Sequence, residues 1–520
     1  MIKVAAEAPA PARFRGLREI FAPILSSKKG FAGLALVLFY VILGIIGPLI
    51  TKYDPITGSG LADNLAMPEW YASIVDPKTP RNVELNFSSW KVVGESKIGN
   101  VFVNISYEGG NLVIKFMGLG AANVSIESDQ PFLYSYKPAK SMLVTYSLNV
   151  STIDNKTAWY DIKMYIVNLD LLGSNKTIRQ GDIVVNVPMG YYAFYDETGF
   201  KIVSLYGYSK EMKAVSSQSI RLPYYIYNSK QEYKLPDFVN PVDELLLAEN
   251  TRIAIRINAS YYCNPNDFIM RCDSQGLQIT IPPIYVKIYG LAFGVLGTNY
   301  LGNDVWTQFI YGSRSAIIFG FGVASAIVLI GLLVGVLAGY HGGKRVDHAL
   351  TFLTDVVFFL PALPLILAVG ITFGRSIYAI FAIIVLLSWP GTARIVRSWS
   401  LALRNEPYVE AAQALGSSTR RIIAKHIIPH LTPLIVYAIV LDVPSAIFTE
   451  VAIQLLGFGD PGFPSWGKML NEAWFGGAIT SGAWWWILPP VAGVTTIALG
   501  FALLGLALDE IVNPRLRRRV

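Results

Sequence analysis

Three carboxylates, Asp355, Asp442 and Glu450, stand inside stretches of this chain that are otherwise apolar enough to cross a bilayer. A charge at membrane depth costs about 3 kcal/mol on insertion scales, so each should face a bundle interior, a water-filled path or a partner. Asp442 and Glu450 are eight positions apart, under a quarter-turn out of line on a helix. They could line one side of a candidate translocation path together with Asp355; a structural hydrogen bond between helices accounts for each equally well. Other reactive constellations are thin. The four histidines, His341, His348, His426 and His430, lie at the ends of apolar segments, and no Cys/His array has zinc spacing, so no metal site is expected. Gly342-Gly-Lys344 looks faintly like a phosphate loop, but Arg345 stands where Ser or Thr is required and the upstream glycine spacing fails. No nucleophile is paired with a base. The expectation is a chain with no catalytic residues and no cofactor of its own.

The most structured local signal is mechanical. Asn405-Glu406-Pro407 reads as a helix start, with a capping side chain, an acidic first turn and a proline where no donor is needed. Glu410, Ala411, Ala412, Ala414 and Leu415 continue that helix, the alanines allowing close backbone approach. Gly416 supplies the left-handed residue that ends it. Ser417 or Ser418 caps a second helix that runs through Arg420, Arg421 and Lys425 to a stop at Pro429. Two short helices at an angle make a lever for something else to grip. An amphipathic loop lying on anionic headgroups is the alternative.

The elements that must position these residues follow from composition and charge. Of 520 residues, 53% are hydrophobic and only 15% are charged, which places the chain among membrane proteins. The net charge of +7 forms no nucleic-acid stripe. Basic residues gather at Arg13, Arg15, Arg18, Lys28 and Lys29, in the 394–430 loop, and at Arg515, Arg517, Arg518 and Arg519, which is the positive-inside pattern. Apolar stretches of about 20 residues fall at 31–50, 315–340, about 349–373, about 376–393, about 431–456 and 484–508. Pro361 and Pro364 should bend the third, and 457–483 reads as an outer loop rich in Gly, Pro and Trp. Six spans with both termini cytoplasmic satisfy every loop. The expected division is a cytoplasmic N-terminus (1–30), a first transmembrane helix (31–51), a β-rich extracellular insert (52–292), a helical core (293–512) and a basic cytoplasmic tail (513–520).

Within 52–292, alternating segments at 101–107, 183–187 and 253–258, separated by Gly, Asn and Asp turns, predict a β-sandwich-like domain. Seven Asn-x-Ser/Thr sites, at Asn86, Asn104, Asn123, Asn149, Asn155, Asn175 and Asn258, lie there and nowhere else, which argues for a glycan-decorated outer surface. A domain simply rich in Ser, Thr and Asn is the plainer reading. Cys263 and Cys272, the two cysteines, read as a disulfide outside the cell or as two free thiols.

The segment Glu410-Ala-Ala-Gln-Ala-Leu-Gly416 with Ile428-Pro429 resembles the signature loop of ABC-importer permeases. Gly297-Thr-Asn-Tyr-Leu-Gly-Asn-Asp304, Tyr311-Gly-Ser-Arg314, Gly339-Tyr-His-Gly-Gly343, Trp389-Pro-Gly-Thr-Ala-Arg394, Leu455-Leu-Gly-Phe-Gly459, Pro464-Ser-Trp-Gly467 and Tyr53-Asp-Pro55 resemble the dipeptide/oligopeptide permease family, C-type subunit. The resemblance covers about 25–70 and 293–515. Asn303 departs from the arginine usual there, and the large insert replaces a very short connection. The resemblance implies a six-helix ABC importer permease bundle, all-α in the membrane, with a β-rich inserted domain. It also implies a second permease subunit in a heterodimer, two ATP-binding subunits that hold ATP and Mg, and an extracellular substrate-binding protein. Glu410, Ala411, Ala412, Ala414, Leu415, Gly416, Ser417 and Arg420 would couple to the ATPase subunits. Oligopeptides follow from the family; oligosaccharides are the alternative cargo, since Trp466, Trp474 and Trp484-Trp485-Trp486 could stack on sugar rings as well as form an interfacial belt. The sequon density suggests an archaeal surface. The insert would dock the binding protein, form a vestibule or act as a glycosylated shield. A surface receptor or a membrane-embedded glycan-processing enzyme are competing classes with less support.

Overall fold

Helix α1 (Lys28–Ile50) starts where Ser27 caps it, its hydroxyl accepting the Gly30 N–H at 2.9 Å. The computed structural model describes residues 24–512, except 155, 157, 173–174, 181–182, 189–190, 202–212, 223–249, 268–271, 273 and 373; between 173 and 249 it describes strand backbones only. Arg13, Arg15, Arg18, Asn155 and the basic tail lie outside the described residues, as does the side chain of Asn175. The chain divides into two units, one holding the chain up to Ser59 and from Asn303 onward, the other Gly60–Gly302.

The helical unit contains α1, α3 (Val305–Tyr340), α4 (Arg345–Phe358), α5 (Ala362–Thr372), α6 (Ile377–Arg404), α7 (Pro407–Ala414), α8 (Thr419–Leu455), α9 (Trp466–Phe475) and α10 (Trp484–Val512); the short α2 (Glu69–Val75) belongs to the other unit. Five of these, α1, α3, α6, α8 and α10, are long and apolar enough to cross a membrane among the described residues. The third expected span differs. It is not one bent helix but two, α4 and α5, interrupted at Phe359-Leu360-Pro361. Pro361 has no N–H to give and its ring crowds the preceding turn, so the helix stops and restarts. Pro364 then falls in the first turn of α5, where a missing donor costs nothing. The segment expected as an outer loop, 457–483, carries α9, capped by the Ser465 hydroxyl on Lys468 N–H at 3.2 Å.

The other unit is antiparallel β. Its strands are β1 (Val83–Phe87), β2 (Trp90–Glu108), β3 (Asn111–Ser128), β4 (Phe132–Tyr134), β5 (Ser141–Thr152), β6 (Ala158–Asn168), β7 (Asn175–Gln180), β8 (Ile183–Pro188), β9 (Tyr191–Lys201), β10 (Lys213–Leu222), β11 (Thr251–Cys263), β12 (Gly276–Ile281) and β13 (Ile284–Tyr289). All three alternating segments in the sequence are strands. The main sheet runs β1-β13-β5-β12-β3-β11-β6-β9, with β2 added to β3, β10 to β5 and β4 to β11. Strand β3 joins its two halves: residues 112–117 pair with β12 and 120–127 with β11. Between them Gly118 and Gly120 have φ of 105° and 135°, a backbone only glycine adopts readily. Ile114 and Phe116 from one half and Val124 and Ile126 from the other share one core with Val144, Ile162, Ile257 and Ile279. This unit extends past the expected end at 292, because 294–301 pairs back onto 60–69: Gly60 N–H donates to Leu301 O at 3.0 Å, and Glu69 N–H to Gly294 O at 3.0 Å.

Candidate functional site

Pro407 occupies the first turn of α7 after an extended Glu406, as the sequence leads one to expect, although no side chain caps that end. At the other end Gly416 has φ +76°. Gly416 N–H donates to Gln413 O at 2.9 Å and Ser417 N–H to Ala412 O at 3.0 Å, the paired bonds of a Schellman turn. Ser418 stands at the start of α8 with no side-chain cap. The second arm of the elbow corrects the sequence reading: it does not end at Pro429. Residues Ile423–Ile427 form a π turn, and the helix runs on through Pro429 to Leu455. A widened turn accommodates a residue with no N–H to donate, so the arm and the following helix are one rod.

The elbow has an inside and an outside. Val409, Ala412, Ile422 and Ile427 are buried against Val336, Val396, Leu431 and Leu434. Each larger aliphatic side chain so buried contributes about 1.5–3 kcal/mol. Tyr408 stacks on His430, ring centroids 5.1 Å apart. Glu410, Ala411, Ala414, Leu415, Gly416 and Arg420 are exposed and Ser417 is half-buried. Leu415 at the tip is 87% exposed. Of the two alanines, Ala412 serves the elbow's own packing and Ala411 faces away.

Behind the elbow lies an arrangement the sequence reading missed. Gly331, Gly335 and Gly339 recur every fourth residue on α3 and meet α6; a Cβ on Gly335 would stand 2.6 Å from Ala393 O, and one on Gly339 2.6 Å from Arg397 O. Small residues at this spacing are the usual signature of close helix contact in membranes and could have flagged the interface. Arg397, on the same face of α6, grips Asp347 of α4 with both prongs of its guanidinium, at 2.6 and 2.8 Å. Asp347 also accepts from Gly343 N–H at 2.9 Å and Thr351 Oγ1 at 3.2 Å. The Arg397 hydrogen bond foremost, with these donors beside it, holds the Asp347 carboxyl well below the usual carboxylate range.

The three carboxylates of the expected path have separate partners. Asp355 pairs with Arg394 at 2.6 Å, and that guanidinium lies 3.8 Å from the Phe358 ring centroid. Asp442 accepts from Thr392 Oγ1 at 3.3 Å. Glu450 is buried beside Gln454 and Ser465, and its Oε1 has no hydrogen-bond partner among the described residues. The next residue, Trp466, is enclosed by Tyr40 and Phe309, with centroids at 5.4 and 5.6 Å, and donates its indole N–H to Phe309 O at 3.0 Å. Gly312 and Gly493 leave room for its ring. Trp466 and Trp486 are thus core residues, and Trp474 is 65% exposed. Asp54, of the Tyr53-Asp-Pro55 motif, accepts the N–H groups of Ile56 and Thr57 at 2.8 and 2.6 Å, and Pro55 O accepts from Gln308 of α3.

In the β-rich unit Cys263 and Cys272 form a disulfide, Cα atoms 4.9 Å apart. Asn86, Asn104 and Asn123 are exposed on β1, β2 and β3, whereas Asn149 and Asn258 are half-buried within β5 and β11.

The family described as binding-protein-dependent transport system inner membrane component matches residues 331–518. The dipeptide transport system permease protein DppC of Bacillus subtilis is 35% identical over 223 residues, covering 43% of this chain and 69% of that protein. The oligopeptide transport system permease protein OppC of the same organism is 34% identical over 224 residues, 43% of this chain and 72% of that one. Among solved structures, an inward-facing MetNI methionine ABC transporter aligns with 40% of this chain and 95% of its own at TM-score 0.32 and 18% identity, too loose a likeness to carry an argument. The elbow, the glycine-packed α3–α6 pair and the motifs around them all lie in or beside the matched region, and at this identity and coverage the chain belongs to the dipeptide/oligopeptide branch of the ABC importer permeases.

Proposed function

We propose that this chain is a non-catalytic membrane subunit of an ATP-driven, binding-protein-dependent peptide importer, paired with a second permease and gripped at its elbow by ATP-binding subunits. The carrying observation is the two-sidedness of 407–427. A base of Val409, Ala412 and Ile422 fixes the elbow to the helices behind it, and Glu410, Ala411, Ala414 and Leu415 project from it. An 87%-exposed leucine at a rigid tip forgoes about 1.5–3 kcal/mol that a covering partner would recover. ATP binding closes the partner subunits, the elbow moves with them, and α8, continuous with its second arm, carries the motion into the bundle. Driving the population from 1:99 to 99:1 takes about 5.5 kcal/mol of differential binding to the two states.

The peptide reading rests on the names of the relatives. Its oligosaccharide rival draws no help from Trp466, Trp485 and Trp486, which are enclosed; of the tryptophans named for ring stacking, Trp474 is the exposed one. The basic clusters support a cytoplasmic elbow and termini, with the β-rich unit on the opposite side. Exposure supports glycans at Asn86, Asn104 and Asn123 ahead of the half-buried Asn149 and Asn258; glycopeptide mass spectrometry of the native protein reads occupancy site by site.

The test is purification of the tagged chain from its own membrane. Two ATP-binding subunits and a second permease should co-elute, and Leu415→Asp should lose the ATP-binding subunits while keeping the permease partner. A chain that elutes alone sinks the proposal.

A further inference from the structure

The face of β6 turned away from the core carries Trp159, and beside it opens a trough of about 420 Å³ for which the transport reading has no use. Its layout follows from register. Ile98, Ala121, Tyr262 and Trp159 are paired neighbours across β2, β3, β11 and β6, forming one transverse row. Two residues along, and therefore on the same face, Ser96, Asn123 and Ser260 form the next. In the first row Ala121 is the small floor. Ile98, 75% exposed, rises on one side, and the aromatic pair Tyr262 and Trp159 rises on the other, centroids 6.5 Å apart and planes at 86°. The Tyr262 hydroxyl donates to Asp267 Oδ2 at 2.6 Å, which fixes the orientation of that ring.

The chemistry of the lining is specific. Two aromatic walls meeting at a right angle offer a flat apolar surface to a ring. The polar groups around them, on Ser96, Asn123, Ser260 and Asp267, are neutral or acidic. Among the described residues the lining holds no cation, which suits a neutral polyol rather than a phosphate or carboxylate. The volume lies within the roughly 300–1,000 Å³ typical of small-molecule sites.

We propose that this trough binds a pyranose ring of a saccharide, its C–H face against Trp159 or Tyr262 and its hydroxyls on the Asn123, Ser260 and Asp267 side. The ring can come from a free saccharide or from a glycan attached to Asn123 itself, which is exposed at the trough within Asn123-Val-Ser125; this second source rests on the glycosylation proposed above.

The experiment uses the full chain in lipid nanodiscs, with isothermal titration of maltotriose, chitotriose and mannotriose against the native glycoprotein and against Ser125→Ala, which removes the sequon and keeps Asn123. Binding of at least one trisaccharide is expected, weakened ten-fold or more by Trp159→Ala. Ala121→Leu, which fills the floor and leaves both aromatic residues in the chain, should weaken it equally and guards against a folding defect in the tryptophan variant. Binding to the native glycoprotein assigns a free saccharide. Binding that emerges only in Ser125→Ala assigns the resident glycan as occupant. No binding of any of the three to either form overturns the proposal, and so does binding that Ala121→Leu leaves unchanged.

Discussion

Gly416 stands at φ +76° with nothing within 4 Å of where a Cβ would point, so any side chain placed there is penalised by the backbone and not by a neighbour. Gly416→Val should strain the Schellman turn by about 1–2 kcal/mol and misplace the second arm. Gly416→Asn, which tolerates the left-handed region, should be far milder. Uptake in whole cells should therefore rank native, then asparagine, then valine, at equal membrane insertion; a valine variant with full uptake contradicts the lever. Asp347 makes a second residue-level case. Its folded pKa is depressed below the unfolded value of about 3.9. The stability this supplies is complete above that unfolded value and drains away as pH falls through the folded one. Asp347→Asn should cost about 2 kcal/mol near neutrality, discounted because Arg397 is a third exposed. The gap to the native protein should persist at pH 6 and shrink as unfolding is followed down to pH 3. A gap that widens on acidification would contradict this sign.

Elements in the helical unit are set by small residues as much as by large ones. The α3–α6 contact depends on Gly331, Gly335 and Gly339. Gly335→Leu should destabilise by about 1–3 kcal/mol through overpacking, read as a lowered unfolding temperature in detergent. Gly391, on α6 with open space around it, is the control: Gly391→Ala should change stability by no more than about 1 kcal/mol. Equal losses at both positions would show that the helix contact is not what the stripe serves. The helix starts, the Gly416 turn and the strand alternation were legible from residues adjacent in sequence. The sequence does not distinguish Pro361 from Pro429, since both are prolines in apolar stretches. One falls where the chain can break into two helices; the other falls where a π turn absorbs the missing donor.

Across the molecule, the two units have separate cores, and each is large enough to unfold as a body. Scanning calorimetry should resolve two transitions. The Cys263–Cys272 bridge closes a nine-residue separation in the β-rich unit, so reduction should cost that unit about 2–3 kcal/mol and leave the helical transition where it was. A single transition that moves as a whole on reduction would show the units to be energetically one.

Membrane class, the elbow with its left-handed glycine, the sequons and the family were determined by the sequence itself, because each depends on composition or on residues within a few positions of one another. What the tertiary structure alone decided are pairings across long separations: Trp466 with Phe309, 157 residues apart, Arg397 with Asp347, 50 apart, and the row from Ile98 to Trp159 assembled from four strands. The separate fates of Asp355, Asp442 and Glu450 belong there too. Helical spacing limits which side chains share a face, but the partner opposite that face is chosen by packing.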